Sequence, residues 1–158
     1  MGRARAHIDL PAQVSAAEAL WYDTSRWASF VDGFHHVEKL EGDWPRPGAR
    51  LVWDSVPDGR GRVIERVLHY EVRAGQAVEV EDARITGRQS VTFTPRSASE
   101  CRLTLELEYR IKDANVLTPL LDTFFVRRQF TDALQRTLSR FRHELRAEMD
   151  TPVAGPRR

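Results

Sequence analysis

A chain of 158 residues is long enough for one domain with a real core, and its 24 basic against 23 acidic residues leave no field of one sign to draw it to nucleic acid or to an anionic membrane surface. The lone Cys101 rules out an internal disulfide framework and suits a reducing compartment. The first eight residues alternate arginine with alanine where a signal peptide would need an apolar run, and no later stretch approaches the roughly 20 apolar residues of a membrane span, so the cytoplasm is the expected location.

Ala6, Ile8 and Leu10 alternate with Arg5, His7 and Asp9, the period-two pattern of a strand with one wet face, and Pro11 ends it. Ser15 stands three residues before Glu18, a capping-box spacing that opens a short helix over 16–22 with Leu20 and Trp21 as its large apolar residues. Thr24 or Ser25 caps a second helix over 26–31, where Trp27, Phe30 and Val31 fall at i, i+3 and i+4.

From Phe34 to Ile111 short alternating runs are separated by turn chemistry at 42–48, 57–61, 74–76, 86–87 and 95–100, which leaves room for six strands joined as an antiparallel meander. The clearest run is 102–111, with Leu103, Leu105, Leu107, Tyr109 and Ile111 on one face and only polar residues on the other. In the run 63–72 the even positions Ile64, Leu68, Tyr70 and Val72 form the stronger apolar set, against Glu65, His69 and Glu71. Residues 115–149 read as one long helix with Pro119 near its start and no glycine inside. At 1.5 Å per residue the part from Pro119 on runs about 45 Å, enough to cross a domain whose radius of gyration is about 15 Å, so the sheet must pack against it. The expected organisation is a single domain over 1–150 followed by a frayed tail over 151–158.

This order of elements, with the stretches WYDTSRWASFVDGFHHVEKL, PGARLVWDS, GRVIERVLHYE and FFVRRQFTDALQRTLSRF, resembles the SRPBCC (START-like) superfamily, in particular its polyketide cyclase/dehydrase and lipid-transport branch. The resemblance covers nearly the whole chain and implies the α+β helix-grip fold: a curved seven-stranded antiparallel sheet wrapped around the last helix, with a deep apolar cavity between them. Members of the family range from lipid and sterol carriers to aromatase/cyclases. No portable catalytic motif comes with the likeness, so no catalytic residue is assigned from it.

The cavity is the place to look for chemistry. Its walls are expected around Leu68 and Leu107 in the sheet and along the helix from Leu117 to Leu138, including Leu121 and Phe124, with Trp53, Phe93 and Trp27 as bulky lining. On the even face of 63–72, Arg66 falls inward; either it meets a carboxylate, carbonyls or an anionic ligand group, or it snorkels to an edge, or a bulge reverses the parity of the strand. Tyr70 and Tyr109 point inward with hydroxyls that need partners. On the long helix Leu117, Leu121, Phe124 and Phe125 form one stripe, continued by Arg128, Thr131 and Gln135, while Phe130, Leu134, Leu138, Phe141 and Leu145 form another about 90° away. Either the helix bends between them or a polar strip including Arg128 faces the cavity.

His35 and His36 are adjacent and would point to opposite faces, and His7, His69 and His143 lack ligand spacing, so no metal is expected. Phosphate loops, dinucleotide glycines and nucleophile elbows are absent from the sequence, and no cofactor is expected. Three functions fit: binding or carriage of a hydrophobic small molecule, a polyketide cyclase or dehydratase using Arg66, Tyr70, Tyr109 and Arg128, or an interaction module presenting Arg136, Arg140, Arg142 and Arg146 to an acidic partner.

Overall fold

The computed structural model describes residues 1–112 and 119–151, with the last helix given by its backbone alone over 119–123. Strand β1 (Gly2–Leu10) leads into α1 (Val14–Tyr22), a 3-10 turn (Thr24–Arg26) and α2 (Trp27–Phe30). Six further strands follow, β2 (Phe34–Glu41), β3 (Arg50–Ser55), β4 (Arg62–Glu71), β5 (Gly75–Glu81), β6 (Ile85–Pro95) and β7 (Cys101–Ile111), and then α3 (Pro119–Asp150). The seven strands form one antiparallel sheet in the order β1-β7-β6-β5-β4-β3-β2, so the meander closes by laying β7 beside β1. This is the helix-grip architecture, α3 lying along the concave side with the short helices beside it. The part of the long helix expected before Pro119, including Leu117, lies outside the described residues.

The alternation in β7 holds: Cys101, Leu103, Leu105, Leu107 and Tyr109 are all buried, and only Ile111, at the strand end, emerges. The helix stripe of Leu134, Leu138, Phe141 and Leu145 packs into the same core, with Phe141 edge-on to Phe30 and Trp21. The second stripe faces away, since the Phe124 and Phe125 side chains are 68% and 63% exposed and Arg128 and Gln135 are exposed too. Helix α3 therefore grips the sheet by one face only.

Strand β4 departs from its expected parity. Val63, Glu65 and Val67 are buried, whereas Arg66 is exposed beside Glu79 at 3.9 Å. Leu68 is the extra residue of a β-bulge, where pairing with β5 steps from Val67↔Val78 to His69↔Ala77, and it is 46% exposed. Beyond the bulge Tyr70 returns to the concave side and meets Tyr22 edge-on at 5.4 Å. The expected inward Arg66 and Leu68 are thus corrected to outward positions, because a count of apolar residues favours the face that carries Ile64 and Leu68 over the one that carries a buried glutamate.

Three local expectations also change. Helix α1 follows Gln13, whose side chain does not cap it, and Glu18 instead accepts the Arg73 N–H at 2.7 Å, tying the helix to the β4–β5 turn. The cap of the next turn is Asp23, which accepts from Ser25 N at 3.1 Å. The glycine expected in a turn at 86–87 lies inside β6, and the turn falls at 82–84. A Cβ on Gly87 would run into the carbonyl oxygen of Glu108, so glycine is there to let β6 and β7 approach.

Candidate functional site

A cavity of about 490 Å³ lies between the sheet and α3. Trp21, Trp27 and Val31 close it from the short helices, Ile85, Leu105 and Leu107 from the sheet, and Val126, Phe130 and Leu134 from α3. Trp53 of β3 forms part of the same lining. An aromatic and aliphatic wall of this size suits a small organic molecule.

The polar groups of the cavity are those the pattern of the sequence hid. Glu65 is only 5% exposed, and its Oε2 accepts a hydrogen bond from Trp53 Nε1 at 2.9 Å. Burial pushes its carboxyl above the usual carboxylate range, against smaller opposing pulls from the Trp53 N–H and the Arg60 charge. Arg60, in the β3–β4 loop, folds inward so that its guanidinium carbon stands 5.9 Å from the Trp53 ring centroid and 5.9 Å from that of Phe130. Its Nε donates to Asp82 Oδ2 at 2.7 Å, while its Nη2 is buried with no partner among the described residues.

Asp82 holds the arginine from the β5–β6 turn, and its side chain is 2% exposed. Its other oxygen accepts the backbone N–H groups of Arg84 at 2.8 Å and Ile85 at 2.9 Å, so one carboxylate both shapes the turn and anchors Arg60. Gln89, inward on β6 opposite Leu107, adds a neutral polar group. At the α2–β2 loop Asp32 accepts from Arg136 Nε and Nη2, both at 3.0 Å, and from Arg140 Nη1 at 3.1 Å. Thr137 Oγ1 accepts the Asp32 N–H at 2.9 Å, which fastens this part of the cavity wall to α3. Two of the arginines expected to meet an acidic partner are therefore engaged within the chain.

Of the residues expected to line the pocket, Trp27, Trp53 and Leu107 do so. Phe93 and Tyr109 are buried in the sheet-facing core outside the cavity lining, Phe93 6.2 Å from Tyr22 and Tyr109 4.8 Å from Phe130 between ring centroids. The Tyr109 hydroxyl has no partner among the described residues, and burial raises its pKa. Tyr70 packs with Ala49, Val67 and Val78 away from the cavity. Arg66, Leu68, Phe124 and Arg128 face outward, which corrects their placement, and the Leu121 side chain lies outside the described residues. The four groups expected to converge for cyclase chemistry do not line the cavity; Glu65, Arg60 and Asp82 do. Arg60 and Asp82 come from loops, which carry no periodicity, but the Val63-Glu65-Val67 alternation was a readable sign of Glu65.

No cluster of three or more His, Cys, Asp or Glu side chains able to hold a metal occurs among the described residues, and no described helix is long and apolar enough to cross a membrane.

Residues 1–146 match the family model described as polyketide cyclase/dehydrase and lipid transport. No curated protein sequence matches significantly. Solved structures with the same fold include a START superfamily protein from Mycobacterium smegmatis (12% identity, 94% of this chain and 99% of that one, TM-score 0.72). The Zhui aromatase/cyclase from Streptomyces sp. R1128 is similar at 13% identity over 93% of this chain and 94% of that one, with a TM-score of 0.75. Norcoclaurine synthase from Thalictrum flavum, in complex with dopamine and hydroxybenzaldehyde, is similar at 12% identity over 95% and 88%, with a TM-score of 0.69.

Proposed function

Because the chain belongs to the polyketide cyclase/dehydrase and lipid transport family, we propose that it binds and carries a hydrophobic small molecule in the cavity between the sheet and α3. The observation that carries this reading is the cavity of about 490 Å³ with Trp21, Trp27, Trp53 and Phe130 in its walls. Protein interiors pack to crystal-like density, so a void of this size is not a by-product of folding a core. An apolar molecule that leaves water for these walls gains roughly 25 cal/mol per Å² of surface covered.

Titration with the neutral dye Nile red tests it: the dye brightens and shifts to the blue on the wild type. Leu107→Trp from the sheet and Ala133→Phe from the helix each fill the cavity and remove the response, with far-UV circular dichroism unchanged. A wild type that neither shifts the dye nor retains a small molecule in native mass spectrometry would remove the proposal.

A second reading, a cyclase or dehydratase, is supported by one observation, the buried Glu65 carboxyl lining a cavity that also holds the Arg60 guanidinium. A carboxyl that keeps its proton can donate it to a carbonyl oxygen while a guanidinium steadies the developing negative charge. Glu65→Gln would then abolish turnover of a poly-β-ketone test substrate and preserve its binding; undiminished turnover would take Glu65 out of that role.

A further inference from the structure

The structure assigns this cavity an occupant of narrower chemistry: we infer that it takes an uncharged apolar molecule bearing a carbonyl-type acceptor oxygen, which Glu65 and Arg60 bind as paired donors, and that it discriminates against carboxylates of the same length. This rests on reading the cavity as a ligand site. Glu65 is buried at the cavity wall, and its Oε2 is taken up by the Trp53 indole N–H. A neutral carboxyl in that arrangement would carry its proton on Oε1, the oxygen that does not accept the Trp53 N–H. Arg60 presents a second donor, since Nε is bound to Asp82 and buried Nη2 has no partner among the described residues. A buried donor such as Arg60 Nη2 costs stability when left open, and one carbonyl oxygen, with two lone pairs, can accept from it and from the Glu65 carboxyl together.

The charges facing the cavity select for a neutral molecule. Arg60 and Arg84 come from the β3–β4 loop and the β5–β6 turn and Arg136 from α3, against Asp58 of the β3–β4 loop, Asp82 of the β5–β6 turn, Asp32 of the α2–β2 loop and Asp132 of α3. Three positive charges against four negative leave one net negative charge even before Glu65 is counted, so a carboxylate enters against net repulsion, and the Arg60 charge beside Glu65 is already matched by Asp82. Burial supports the neutral state of Glu65 by holding its carboxyl above the ordinary range. An ionised Glu65 would turn a donor into an acceptor and oppose the ligand oxygen.

The test uses pyrene, which has no hydrogen-bond acceptor, as the bound probe, and displaces it at pH 7 with 2-dodecanone or with dodecanoate. The wild type is expected to release pyrene to the ketone at a concentration about tenfold or more below that needed for the carboxylate, a difference of the size one lost charge-assisted bond gives. Glu65→Gln, which keeps a neutral donor, retains the preference, whereas Glu65→Leu reduces it severalfold, each displacement being referred to that variant's own pyrene affinity. Equal or better displacement by dodecanoate, or an unchanged preference in Glu65→Leu, overturns the inference and leaves the cavity reading standing. Failure of pyrene, 2-dodecanone and dodecanoate alike to bind overturns the cavity reading on which it rests.

Discussion

Asp82 is the residue whose removal should cost most for its size. Asp82→Ala deletes the acceptor of two backbone N–H groups in the β5–β6 turn and of the Arg60 Nε, all at 2.7–2.9 Å. All three bonds end on a carboxylate, and about 1.5 kcal/mol for each, the low end of the 1.5–3 kcal/mol range for bonds to charged groups, gives a total of about 4–5 kcal/mol. That agrees with the 3–5 kcal/mol typical of leaving one partner of a buried pair without its counter-charge. Arg60 keeps some solvent access, with 27% of its side chain exposed, which places the cost at the lower part of the range. With a urea m-value of about 2 kcal/mol/M, the unfolding midpoint by far-UV circular dichroism should fall by roughly 2 M. Asp82→Asn keeps an oxygen for the turn and should recover about half of the loss. In a cycle with Arg60→Ala the double variant should lose less than the two singles combined, by about 1.5–3 kcal/mol. If Asp82→Ala unfolds within about 1 kcal/mol of the wild type, neither the turn nor the arginine depends on this carboxylate.

Glu65 makes stability depend on pH with an unusual sign for a carboxylate. Its pKa is raised by burial in the folded chain, so between the unfolded value of about 4.3 and the folded value the native state binds more protons than the unfolded one. Its contribution is complete below the unfolded pKa and is lost as pH rises through the folded pKa. The unfolding free energy of the wild type minus that of Glu65→Gln, measured across a pH series, should therefore decline as pH rises; a flat or rising difference would show that Glu65 ionises freely. Gly87→Ala should cost about 1–3 kcal/mol, the usual range for overpacking, because its Cβ meets the Glu108 carbonyl across the β6–β7 pair. Thermal unfolding equal to or above that of the wild type would mean that the two strands separate at no cost.

The architecture was legible because most of it obeys one rule, that apolar residues recur at the period of the element they belong to. Strand β7 has a fully apolar face and a fully polar one, so it could be oriented from spacing alone, whereas α3 carries two stripes about 90° apart and spacing does not choose between them. Strand β4 could not be oriented so. Its inward face holds Glu65 while its outward face and bulge hold Ile64 and Leu68, so the apolar count points to the wrong side. The same inversion hid the site, since a glutamate is tolerated inside only where an indole N–H and a retained proton satisfy it, and these conditions depend on Trp53 twelve residues away. Arg60 and Asp82 meet across 22 residues from two different turns, and no periodicity brings them together. On α3 the Phe124 and Phe125 pair reads as core by composition, yet the helix has one sheet to grip and spends that contact on the other stripe.

The aromatic wall also has an optical consequence. The chain contains four tryptophans, and three of them, Trp21, Trp27 and Trp53, line the cavity. Their indoles respond to the polarity and quenching power of whatever occupies that space, so most of the protein's ultraviolet emission originates where a guest would sit. The unlabelled chain is in effect its own occupancy gauge: entry of a molecule registers as a change in intrinsic emission, and Trp53→Phe, by removing the indole that bonds Glu65, separates the signal of the polar end from that of the helices.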